Sequence, residues 1–278
     1  MRRWLPLLPL LLALPAVAQE RPPRPLLPGV GPQDPRQPVA VAAAPWRALG
    51  RVQLEIGGFC TGALIGPRQV LTAAHCLVGG RSRQMVRPSS VHFLLGYERG
   101  AYVAHARVAA FRLDPRFAAA AGGPAPLDWA VLVLETPLGT PDRILPLMRE
   151  MPAPRTPLML GGYQQDRAEV LLADTACRVI GRAPHPSGGT LLLHDCAGTR
   201  GVSGAPVLAQ GPGGEWQVAG VASRVGVRLA LGAAVPVAGF AGEVEDGGSV
   251  PKPLAPKPLP GALPLDPAGG KASPRTPP

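Results

Sequence analysis

Between residues 46 and 240 no stretch spaces its apolar residues as a long amphipathic helix would. Short apolar runs follow one another instead, most of them separated by glycine or proline. Arg51-Val52-Gln53-Leu54-Glu55-Ile56 alternates polar and apolar residues, the period of a strand with one face buried. Comparable runs lie at 63–65, 69–71, 91–95, 103–113, 130–134, 158–160, 170–172, 191–193, 207–208 and 216–221. Many short strands joined by turns define an all-β barrel or sandwich. No run approaches the ~20 apolar residues that cross a bilayer as a helix, so no membrane span is expected.

The boundaries follow from composition. Met1-Arg2-Arg3, the apolar stretch 4–16 and Ala16-Val17-Ala18 together have the form of a secretory signal peptide, residues 1–18. A secreted or periplasmic protein is therefore expected. Residues 19–44 hold seven of the 37 prolines and read as a linker or pro-segment. Residues 241–278 hold ten more and read as a disordered, proline-rich tail. The folded part is then 45–240, long enough for a substantial core.

Lys and Arg number 28 against 18 acidic residues, a net charge of +10. The excess belongs to the folded part, because the tail carries four bases and four acids. Its arginines are scattered, with one cluster at 81, 83 and 87, and no nucleic-acid-binding motif accompanies them. A solvated basic surface is expected, with no nucleic-acid partner.

Four cysteines occur, Cys60, Cys76, Cys177 and Cys196, none in a CxxC spacing that would favour zinc. In an exported chain they read as two disulfides. Of the three possible pairings we take the local one, Cys60–Cys76 with Cys177–Cys196. Each clip lies close to residues that carry chemistry. His75 directly precedes Cys76, at the end of an apolar run. Ser203 follows Cys196 by seven residues and is flanked by Gly201 and Gly204. Such glycines allow a tight turn that exposes a hydroxyl and aims backbone N–H groups at a developing oxyanion. Asp128 heads the apolar run 130–134, where a carboxylate needs a partner. A buried carboxylate that orients an imidazole beside a serine makes a nucleophilic hydroxyl at neutral pH.

Cys60-Thr61-Gly62-Ala63-Leu64-Ile65, Val70-Leu71-Thr72-Ala73-Ala74-His75-Cys76, Asp128-Trp129-Ala130-Val131-Leu132 and Gly201-Val202-Ser203-Gly204-Ala205-Pro206 resemble the trypsin-like serine endopeptidases. Among their branches the bacterial secreted proteases similar to glutamyl endopeptidase look nearest. The resemblance implies two packed six-stranded antiparallel β-barrels with the active cleft between them. It implies His75, Asp128 and Ser203 as catalytic residues and the backbone N–H groups of Gly201 and Ser203 as the oxyanion hole. Thr199, Arg200, Ser223, Arg224 and Val225 are the implied substrate-binding residues. The substrate would be a protein or peptide, with no cofactor or metal, and a monomer is expected. A catalytically silent relative that keeps the barrels as a binding module is the alternative.

The sequence departs from the resemblance in three respects. Val202 stands where the digestive-type members carry an aspartate that pairs with a freshly cut N-terminal amine. Ala197, Gly198 and Thr199 align with the pocket base and offer no acid to select Lys or Arg. Ala222 replaces the histidine with which glutamyl endopeptidases read acidic side chains. Cleavage after small or medium apolar residues is the resulting expectation.

Overall fold

A computed structural model describes residues 27–117, 123–226 and 229–245. The expected signal peptide lies outside the described residues, as do the first part of the expected linker and the tail from 246 onward.

The first barrel is built from β2 (Leu49–Leu54), β3 (Phe59–Gly66), β4 (Gln69–Thr72), β5 (Val91–Leu95), β6 (Ala104–Leu113) and β7 (Ala130–Leu134). They run in the order β2-β3-β4-β7-β6-β5, and β2 pairs with β5 to close the ring. The second barrel comprises β8 (Pro157–Gln164), β9 (Arg167–Pro184), β10 (Thr190–His194), β11 (Pro206–Gln210), β12 (Trp216–Val225) and β13 (Gly232–Pro236). Its order is β9-β10-β13-β12-β11-β8, closed by pairing of β8 with β9. All pairings within both rings are antiparallel, which gives the expected all-β fold of two closed six-stranded barrels.

Each barrel fills its interior with the inward-facing set of its alternating strands. Val52, Leu64, Val70, Phe93, Val108 and Leu132 pack the first, and Leu158, Leu160, Val179, Leu192 and Val207 the second. A third apolar cluster joins the two, among them Trp46, Leu71, Trp129, Met159, Tyr163 and Leu208. Trp129 stacks flat on Phe240 with ring centroids 4.3 Å apart. This contact anchors the residue after Asp128 against the C-terminal end of the second barrel.

The packed body reaches beyond 45–240 at both ends. Ala241 and Val244, in the short helix Ala241–Glu245, are buried in the joining cluster. At the other end β1 (Gln37–Pro38) pairs antiparallel with β9, placing Gln37 opposite Ala173 and Pro38 opposite Leu172. Val39 N donates to Leu171 O at 3.1 Å. Residues 27–44, part of the stretch expected as a linker, thus lie against the second barrel. Val39 and Val41 pack against the joining cluster, and Arg36 is among the largest fully buried residues of the protein.

Candidate active site

His75 sits in a single helical turn, Ala74–Leu77, immediately after β4. The Cys60–Cys76 disulfide ties that turn to β3, and Cys177–Cys196 ties β9 to the segment after β10, so the local pairing is the one present. Cys60, His75 and Cys76 are close enough to suggest a metal cluster, with ligand atoms within 4.8 Å of one another. Thiolates bind metals, and both sulfurs are already spent in the disulfide bond.

Asp128 lies just before β7 and is only 2 % exposed. Both of its oxygens are engaged. The backbone N–H of His75 donates to Oδ1 at 2.8 Å, while Oδ2 lies 2.7 Å from His75 Nδ1 and accepts from Ser223 Oγ at 2.5 Å. Burial works against the charge on Asp128, but the hydrogen bonds from His75 and Ser223 outweigh it and hold the carboxyl below its ordinary value. A carboxylate can only accept, so Nδ1 carries a proton and the neutral imidazole keeps its lone pair on Nε2. The ring is about a third exposed, 35 %, and therefore open on one side.

Ser203 belongs to a loop of the second barrel that the first barrel grips. Thr61 N donates to Ser203 O at 2.9 Å, and Thr61 Oγ1 donates to Gly201 O at 3.0 Å. The same Oγ1 accepts from Tyr163 N at 2.9 Å, and Thr72 Oγ1 donates to Thr61 O at 2.8 Å. Gly204 is indispensable here. Its φ is +80°, and a Cβ would fall 2.1 Å from Thr72 Oγ1 and 2.4 Å from Thr61 O. Arg200 O accepts from Gln165 N at 2.8 Å. The planar trans peptide then turns the Gly201 N–H to the side opposite Gln165.

Thr199, Arg200, Val202, Ser203, Ala222, Ser223, Arg224 and Val225 line one cleft of about 190 Å³. The five residues expected to bind substrate are therefore brought together around Ser203, and Ser223 links the cleft to Asp128. The expected pocket base is only partly there. Thr199 lines the cleft, whereas Ala197 N donates to Asp174 Oδ2 at 2.8 Å and Gly198 N to Gly29 O at 2.9 Å, and neither residue lines it. Val202 and Ala222 supply apolar wall in their place. No acidic residue faces the cleft among the described residues, while Arg200 and Arg224 do.

Sequence reasoning missed Thr61 and Thr72, which fix the Ser203 loop, and Gln164, whose Oε1 accepts from Thr199 N at 2.8 Å. Threonines inside strands have no distinguishing local signal, and the Gln164 contact joins residues far apart in the chain.

Two closed six-stranded antiparallel barrels, with the His75–Asp128 pair on the first and the Ser203 loop on the second, define a chymotrypsin-like fold. The sequence model described as Trypsin matches residues 36–241, and the chain belongs to the trypsin family. Its fold is similar to a solved structure described as a Glu endopeptidase in complex with MPD. The TM-score is 0.65 at 20 % identity, over 78 % of this chain and 98 % of that one.

Proposed function

We propose that the chain is an exported serine endopeptidase that works through Ser203, His75 and Asp128. The observation that carries the reading is the hydrogen-bonded set Ser223–Asp128–His75, next to the Ser203 loop that Thr61 holds. Ser203 Oγ attacks the scissile carbonyl carbon while its proton passes to His75 Nε2. The N–H groups of Gly201 and Ser203 donate to the developing oxyanion. Collapse of the tetrahedral intermediate breaks the C–N bond, and His75 returns the proton to the leaving amine. Water then repeats the sequence on the acyl-enzyme and frees Ser203. Asp128 holds the imidazole tautomer and stabilises the imidazolium.

The cleft favours small or medium apolar side chains at the primary position. A basic group would be buried among Val202, Ala222 and Val225 without an opposite charge, at a cost of several kcal/mol. Ser223, Arg224 and Val225 end β12 and offer a strand edge to the substrate backbone. The two arginines favour acidic groups at neighbouring substrate positions.

Labelling by a fluorophosphonate tests the reading, with Ser203→Ala as control. Wild-type protein should label and the variant should not. Ser203→Ala or His75→Ala should lower turnover on the order of 10⁶-fold because the two act as a unit, and Asp128→Asn roughly 10⁴-fold. Absence of labelling in the wild type would point to the silent binding module instead.

A further inference from the structure

Arg36 precedes the folded part expected from the sequence, yet its side chain is wholly shielded from solvent. All five of its guanidinium N–H donors are used. Nε and Nη2 donate to Asp34 Oδ1 and Oδ2 at 2.8 and 2.9 Å. Nη2 and Nη1 donate to Asp166 Oδ2 and Oδ1 at 2.8 and 3.1 Å. Nη1 also donates to Gln164 Oε1 at 2.5 Å. Burial opposes the charge, but the hydrogen bonds to Asp34 and Asp166 carry the pKa of Arg36 above its ordinary value. A planar fork of five donors meets this demand, and an ammonium with three does not.

What Arg36 holds bears on the cleft. Gln164 Oε1 is shared between Arg36 Nη1 and the backbone N–H of Thr199. Two converging donors require that the amide oxygen face them. Thr199 O accepts from Val202 N at 3.1 Å, and Gln165, the next residue after Gln164, donates to Arg200 O at 2.8 Å. One guanidinium is therefore a single side chain away from the backbone that leads into Ser203. The same N-terminal segment touches the cleft a second time. Gly29 O accepts from Gly198 N, and Gly29 lies so close that a Cβ on it would fall 2.7 Å from Val225 Cβ.

We propose that Arg36 is a positioning residue: through Gln164 it clamps the backbone 199–203 in the geometry that peptide hydrolysis needs. The 27–39 segment is then a working part of the site rather than a removable leader. The inference rests on the peptidase reading above.

The test uses the full chain and two readouts, kcat against KM on a peptide substrate and amide hydrogen exchange over 199–203. Arg36→Met removes the clamp and Arg36→Lys restores part of it. Gln164→Met leaves the Arg36 ion pairs in place and removes the shared acceptor that joins Arg36 Nη1 to Thr199 N. Arg47→Gln, which breaks an exposed pair with Asp142, is the control for loss of an arginine. Gln164→Met should speed exchange at 199–203 and lower kcat on the order of 10²-fold with little change in KM, the scale of a small misplacement of reacting groups. Arg36→Met should do at least as much, and if it fails to fold, Gln164→Met decides alone. Unchanged exchange in Gln164→Met overturns the clamp. Faster exchange with unchanged kcat overturns its role in the reaction. If the wild type neither labels with a fluorophosphonate nor turns over, the peptidase reading fails separately and exchange alone judges the clamp.

Discussion

His194 closes β10 with its side chain buried and only 1 % of the residue exposed. Neither ring nitrogen has a hydrogen-bond partner among the described residues. The ring occupies the space beside Gly232, where a Cβ would come within 2.1 Å of Cε1. Burial pushes its pKa down to about 4, and the nearby Asp195 carboxylate acts the other way without cancelling it. In the unfolded chain the ordinary value is 6.5. Between these limits the unfolded state binds a proton that the folded state refuses, so stability falls as pH falls. The contribution is complete above pH 6.5 and is lost progressively down to about pH 4. At roughly 1.4 kcal/mol per pH unit over that window, the loss is on the order of 3 kcal/mol. His194→Leu replaces the ring with an apolar side chain that cannot titrate. Urea unfolding in a Ser203→Ala background, which prevents self-digestion, should show the variant gaining on its parent by about that amount as pH drops through the window. Asp34, Asp114 and Asp128 are held below the ordinary carboxylate value, so their losses come at lower pH and are common to both proteins. Parallel pH profiles would show that His194 is solvated or partnered, and the reasoning would fall.

Gly204→Ala forces a side chain into the space of Thr72 Oγ1 and Thr61 O at a positive φ, and thermal unfolding should register a loss of about 2–4 kcal/mol. Ser223→Ala removes one of the hydrogen bonds that depress the Asp128 carboxyl. The stability that Asp128 contributes is present above its unfolded value and lost as pH falls through its folded one, so acid unfolding of the variant should begin at higher pH. Val225→Gly widens the cleft, and a peptide-library profile should move toward larger apolar side chains by roughly 10-fold or more. Dominant cleavage after Arg, Lys or Glu in the wild type would contradict the placement of the pocket.

Each apolar run read from the sequence falls within a strand or overlaps one, because half-buried strands must alternate or stay apolar to fill a barrel. What escaped has a physical cause. β13, Gly-Ala-Ala-Val-Pro, carries small residues where β12 approaches: a Cβ on Gly220 would meet the Ala234 Cβ at 3.1 Å. Larger side chains would have advertised the strand and would not have fitted. β1 is two residues long and is fixed by the buried charge of Arg36, which no hydrophobic pattern can announce. His75 and Ser203 stood out as reactive residue types beside a cysteine and near glycines, and Asp128 as a carboxylate at the head of an apolar run. Their supports did not, since Thr61 and Gln164 act through pairs more than 30 residues apart.

Those supports also explain why fold and site are hard to separate here. The first barrel supplies His75 and Asp128, and through Thr61 it also holds the loop of Ser203 from across the junction. The second barrel supplies that loop, and through Ser223 it reaches back to Asp128. Each barrel therefore completes the half-site of the other, and a shift between them disturbs both at once. Thr61 concentrates that dependence in one residue: its N–H, its carbonyl and its hydroxyl all take part in bonds at the junction. Thr61→Val would keep the shape and the two backbone bonds, removing only the hydroxyl that joins Tyr163 N to Gly201 O. A buried carbonyl and a buried N–H left unpaired cost about 1–3 kcal/mol each. Part of the cost falls on the Gly201–Val202 peptide, which lies between the two peptides that carry the proposed oxyanion donors, so the loss should appear in kcat as well as in stability.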